Sequence, residues 1–188
     1  MNRPVSNILS FRAARSRGYV ARAQRGICIA LLIVAANLVF GEDLPEGWRK
    51  PTRTEAGGDD WRHKSPTGFL TVEADFDGDG KLDVAELLVN PSAKQFALFV
   101  KLASSSWRLL DKPYDLKSLD RFGVDLVKPG KYETACGKGY GDYACAHGEP
   151  DYLELSRPAI DFIHTESSDS IFYWDKEQGK FVEVLMSD

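Results

Sequence analysis

The sequence predicts a mainly β fold: a single antiparallel β domain, built as a sandwich or a partly open, barrel-like sheet, behind an N-terminal signal helix. Three observations carry this. Short apolar runs recur along the chain, several alternating with polar residues at the two-residue period of a strand. Gly, Pro, Asn and Ser clusters separate them at roughly eight- to twelve-residue spacing, and helix-length patterns are few. Beyond a 41-residue leader the 188-residue chain keeps 147 residues, enough for one hydrophobic core.

The leader differs from everything after it. Residues 1–26 hold six arginines (Arg3, Arg12, Arg15, Arg17, Arg22, Arg25) and no acidic residue, and 27–40 run almost unbroken in apolar residues. A basic region ahead of an apolar stretch of roughly 7–15 residues is the pattern of a secretory signal peptide. The run falls short of the ~20 residues that a membrane-spanning helix needs. Val39 and Gly41 suit a cut before Glu42. The expected organisation is a signal peptide over 1–41, an irregular arm over 42–68 and a β domain over 69–188. The length of the basic region keeps an organellar transit peptide and an uncut membrane anchor open as alternatives. Cleavage implies an exported protein, periplasmic or extracellular, with no stable membrane insertion.

Removing the leader changes the charge. It takes six of the 24 basic residues and none of the 28 acidic ones, which leaves 18 against 28, a net charge of −10. Such a surface repels phosphate backbones and excludes nucleic acid as a partner. All four Trp and six of the seven Tyr lie beyond residue 41, which excludes a disordered chain. Cys28 leaves with the leader, and Cys136 and Cys145 remain with eight residues between them. In an oxidising compartment that pair makes a local disulfide around a glycine-rich loop, 136–145, worth about 2–3 kcal/mol in the chain-entropy picture. A metal-thiolate pair is the competing reading, and it wants closer spacing and further ligands.

Taken in order, 42–68 is broken by Pro45, Gly47, Pro51, Gly57, Gly58, Pro66 and Gly68, leaving room for at most one short helical turn between Pro51 and Trp61. Leu44, Trp48 and Trp61 are expected to tuck this arm onto the core. Strands are expected over 69–74, 84–89, 96–102 and 107–110, then over 124–127, 131–135, 152–155 and 159–164. The last two, 170–174 and 180–185, flank a turn and form a terminal hairpin. No second acidic loop and no internal repeat follows, so a full propeller or solenoid is not supported.

The chemistry concentrates in Asp75-Phe76-Asp77-Gly78-Asp79-Gly80-Lys81-Leu82-Asp83. Calcium takes six to eight oxygen ligands, mixing carboxylates, carbonyls and water. Here carboxylates stand at loop positions one, three, five and nine, and the Lys81 carbonyl at position seven supplies another oxygen. Gly80 at position six permits the sharp turn. Four like charges in so short a loop are costly without a cation. The expected ligand set is Asp75, Asp77, Asp79, Lys81 and Asp83, for Ca2+, with Leu82 pointing inward to tie the loop to the core.

This spacing resembles two families. It is similar to the calcium loops of FG-GAP (VCBS-like) repeats, in which the loop joins two strands, and to the EF-hand loop, where Glu86 would fall at position twelve. An EF-hand needs a helix on each side, yet Pro66 stands upstream, 69–74 is strand-like, and Pro91 leaves about seven residues downstream. The FG-GAP resemblance covers about 69–102, one repeat, and implies a strand–loop–strand calcium site in which Glu86 is a strand residue.

Other chemistry is sparse. His63, His147 and His164 are the only histidines, none at metal-ligand spacing. No Gly-x-Ser-x-Gly or His-Glu-x-x-His motif occurs, and 137–141 lacks the Walker spacing. Carboxylate pairs such as Asp142 with Glu149, or Asp161 with Glu166, are available for hydrolysis, with spatial separation as the deciding quantity. Phe172, Tyr173, Trp174 and Phe181 read as core. The expected function is a non-catalytic binding or interaction module holding one structural calcium ion, with a protein or glycan partner. A secreted hydrolase and an EF-hand-type sensor are the alternatives.

Overall fold

The two most buried strands are built on nearly unbroken apolar runs, 84–89 and 96–100. β1 (Thr71–Ala74), β2 (Asp83–Asn90), β3 (Gln95–Lys101) and β4 (Trp107–Leu109) form an antiparallel sheet in that order, and a short β5 (Tyr114–Asp115) pairs with β3. The computed structural model describes residues 43–140, 145 and 148–187; the expected signal peptide and His147 lie outside them. β6 (Phe122–Val127), β9 (Ala159–His164), β10 (Asp169–Asp175) and β11 (Lys180–Leu185) form a second antiparallel sheet in the order β11-β10-β9-β6. β7 (Gly130–Glu133) and β8 (Tyr152–Leu155) make a separate hairpin.

The two four-strand paths share one core. Ala85, Leu87 and Val89 stand opposite Val100, Leu98 and Phe96 on one face of β2 and β3. They join Phe122, Val124, Ile160, Phe162 and Phe172 from the second sheet. Ring contacts knit this seam: Phe96 to Phe122 at 5.0 Å and Phe122 to Phe162 at 5.5 Å between centroids. The fold is thus mainly β and antiparallel, as expected, and it is not a closed barrel.

β2 and β3 are buried on their other face as well. Leu88, Ala97 and Phe99 meet Leu44, Trp48 and Trp107 there. Arg49 forms an antiparallel bridge with Val89. This double burial explains why 84–89 reads as a nearly continuous apolar run, the mark of a strand covered on both sides. The arm therefore belongs to the folded unit: Leu44 and Trp48 pack on the core as expected, while Trp61 stacks on Phe69 at 5.1 Å, outside the buried clusters.

Three details differ from expectation. The arm carries two four-residue helices, α1 (Arg53–Ala56) and α2 (Asp59–Arg62), where room for one was foreseen. A capping box starts the first: the Thr52 hydroxyl accepts from the Glu55 amide and Glu55 returns to the Thr52 amide. Arg62 fixes the second, its buried guanidinium donating to the carbonyls of Ala56, Gly68, Leu119 and Phe122. Next, a 3-10 helix, Leu116–Arg121, and β5 occupy a stretch, between 110 and 124, for which no helix or strand was expected. Finally, the first strand begins at Thr71 and not at residue 69, because Phe69 takes a left-handed φ of 55°.

The terminal hairpin forms as expected, with Trp174 opposite Phe181. A disulfide joins Cys136 and Cys145, their Cα atoms 5.0 Å apart. Among the described residues no helix is long and apolar enough to cross a membrane.

Candidate metal-binding loop

The acidic loop connects β1 to β2, whose pairing begins at Ala74 opposite Asp83. Its flanks are strands, as the FG-GAP-like reading requires and the EF-hand does not. Inside the loop the aspartates accept from the backbone around them. Asp75 Oδ1 takes the Gly78 amide at 2.7 Å and Oδ2 the Gly80 amide at 2.9 Å. Asp77 Oδ1 takes the Asp79 amide and Asp79 Oδ1 the Lys81 amide. These bonds curl the chain: Asp side chains bind backbone amides two, three and, for Asp75 with Gly80, five residues onward. Gly78 and Gly80 allow the curl with φ of +81° and +84°.

Three carboxylates converge. Asp75, Asp77 and Asp83 each offer an oxygen within 4.8 Å of the others. The crowding is visible in Asp77, whose carboxyl is raised above the usual range by burial first, then by repulsion from Asp83, Asp79 and Asp75. Asp79, expected as the fourth ligand, lies outside this group. Its carboxylate meets Lys81 Nζ at 3.1 Å, and bonds to Lys81 hold it below the usual range.

Asp83 has two tasks. It is fully buried, its Oδ2 accepting the Phe76 amide and its Oδ1 the Ala103 amide, both at 2.8 Å. It thereby ties the loop to the end of β3. The expected core anchor is wrong: Leu82 is 66% exposed, and Phe76 is the residue that enters the shared core with no exposed surface. Phe76 packs edge-on to Phe181 at 6.3 Å. The reason is geometric. In a curled loop, side-chain direction follows the turn and not the strand alternation. Glu86 is a buried β2 residue paired with Lys50 Nζ at 3.2 Å, apart from the carboxylate group, as expected for a strand position.

The other candidate residues do not gather at the loop. His164 lies flat on Phe122, ring centroids 4.1 Å apart, and burial followed by Arg121 lowers it below its ordinary value. Asp142 falls outside the described residues, and Glu149 Oε2 accepts the Leu185 amide. Glu166 sits in the β9–β10 turn at φ 64°. Asp161 instead faces Asp125 across β6 and β9 and shares a hollow of about 420 Å³ with Asp169, Tyr132 and Met186. Burial, then Asp169 and Asp125, push Asp161 up to about 7. Trp174 and Phe181 meet edge-on at 5.3 Å and pack, partly buried, against the shared core.

Sequence reasoning missed Phe76 and Arg157 as parts of the loop's setting. A fully apolar ring between two ligand aspartates was a usable signal for the first. No local signal marks the second. Comparison with protein-family models, with curated proteins and with solved structures gives no match, so the assignment of the loop rests on its own residues.

Proposed function

We propose that this chain is an exported β-domain protein that binds one structural calcium ion in the loop 75–83. It serves as a non-catalytic binding or interaction module toward a protein or glycan partner. The observation that carries the reading is the convergence of Asp75, Asp77 and Asp83 within 4.8 Å.

The donor set fits calcium. It is all oxygen, hard and anionic, on a loop whose ring size follows the one-three-five-nine spacing. Asp79 and the Lys81 carbonyl would complete it. A bound ion would supply charge neutralisation for the crowded carboxylates and a cross-link from the end of β1 to the start of β2. The strand flanks favour an FG-GAP-like structural staple over a helix-based sensor. The Cys136–Cys145 bond is compatible with an oxidising compartment, which supports export.

The test is calorimetric titration with calcium, alongside thermal unfolding in calcium and in chelator. The expected affinity is about 10⁻⁴–10⁻³ M, the range of extracellular modules. A melting temperature that rises with calcium is expected from preferential binding to the folded state. Asp75→Ala and Asp77→Ala should each abolish the response. Absence of both heat and stabilisation at millimolar calcium would overturn the reading.

A further inference from the structure

Arg157 stands in the turn between β8 and β9, far from the acidic loop in sequence and against it in space. Its Nη1 donates to the Asp77 carbonyl across 80 residues of chain. The guanidinium lies so close over Gly78 that a Cβ there would stand 2.8 Å from the Arg157 Cζ. The φ of +81° calls for glycine at 78, and the absence of a side chain there leaves room for this approach. Any side chain at 78 would push the arginine away.

The contact has a specific form. Arg157 holds loop backbone, and among the described residues no ion pair joins it to a carboxylate. It therefore leaves the carboxylate oxygens of Asp75, Asp77 and Asp83 to the site while fixing the peptide that follows Asp77. Arginine suits this role, since its planar fork is preorganised for hydrogen bonds where lysine offers a flexible point charge. The same side chain lines a hollow of about 350 Å³ with Glu154, Tyr173, Trp174 and Glu177 of the β8 and β10–β11 region. One residue thus touches both the loop and the wall of a cleft on the second sheet.

We propose that Arg157 is a positioning residue for the calcium loop: it holds the 77–78 peptide so that Asp77 stays within the carboxylate group, and it carries ion occupancy into the β8–β9 turn. The proposal rests on the calcium reading above. Outer-shell partners of metal ligands commonly change affinity by 10–100-fold when removed.

Hydrogen exchange and calorimetry on the full chain, with and without calcium, test it. In the wild type, calcium is expected to slow exchange in 75–83 and also in 154–158. Arg157→Gln should weaken calcium binding about tenfold. At saturating calcium it should keep the slowing in 75–83 and lose it in 154–158. Arg157→Lys, which retains the charge without the fork, should fall between the two; it gives the same readouts if the glutamine variant does not fold. Tighter binding by Arg157→Gln would show that the arginine only repels the ion, and would overturn the proposal. Slowing confined to 75–83 in the wild type would overturn the coupling and leave the calcium reading standing. No calcium response in either segment would overturn both.

Discussion

Phe76 and Asp83 close the acidic loop across seven residues: the Phe76 amide donates to Asp83 Oδ2 at 2.8 Å, and both side chains are fully buried. One residue anchors the loop through its ring and the other through its carboxylate. The loop is thus shaped by the protein core as well as by its ligands.

Asp83 should therefore matter without any ion. Asp83→Ala strands the Phe76 and Ala103 amides, and a buried unpaired donor costs about 1–3 kcal/mol. We expect a loss of about 2–4 kcal/mol in urea unfolding carried out in chelator. Asp77→Ala, whose carboxylate is crowded by its neighbours, should lose the calcium response while leaving chelator stability within about 0.5 kcal/mol. Equal losses for the two variants in chelator would contradict the dual role of Asp83.

The two apolar residues of the loop should behave oppositely. Phe76→Ala leaves a cavity in the shared core and should cost about 3–5 kcal/mol. Leu82→Ala removes an exposed side chain and should change stability by no more than about 0.5 kcal/mol. Chemical denaturation of both variants under one condition compares them. A larger effect at Leu82 would restore it as the anchor.

Asp161 gives the protein a pH signature. Its carboxyl titrates at about 7 when folded, through burial and then Asp169 and Asp125, and near ~4 when unfolded. A raised carboxyl means that the folded state holds the proton longer. Its contribution is fully present below about pH 4 and declines as pH rises to about 7. Asp161→Asn stays neutral throughout, so the fall in melting temperature between pH 5 and pH 8 should be smaller than in the wild type. Identical pH profiles would refute this assignment.

The disulfide closes a short loop beside the last strand. The Ala135 amide bonds the Leu185 carbonyl, and Lys138 Nζ bonds the Met186 carbonyl at 2.8 Å. Replacing Cys136 and Cys145 by serine should cost about 2–3 kcal/mol, the loop-closure value for about ten residues. Peptide mapping without reductant should find the two cysteines in one linked fragment. Unlinked peptides together with unchanged stability would remove the bond from the account.

What was legible in the sequence was local. The aspartate spacing, the terminal hairpin and the cysteine pair each lie within a short window, so residue type and spacing carried them. Thr52 and Glu55 form a capping box that was equally local, and it marks a helix start the pattern of breakers had hidden. The direction of Phe76 and Leu82 was not legible, because alternation stops where the chain curls. Nor was Arg157, whose partner lies 80 residues away. The pairing of β6 with β9, and the 3-10 helix held against Arg62, likewise depend on partners remote in sequence.

Arg62 sets an order on assembly. Its guanidinium binds carbonyls at Leu119 and Phe122, and Trp48 leans on Phe99. During synthesis the arm leaves the ribosome before any of these partners exists. It must wait, solvated, through some sixty residues of chain. The arm therefore docks only once β3 and the 3-10 helix have been made, and Trp48 and Arg62 lack these partners until then.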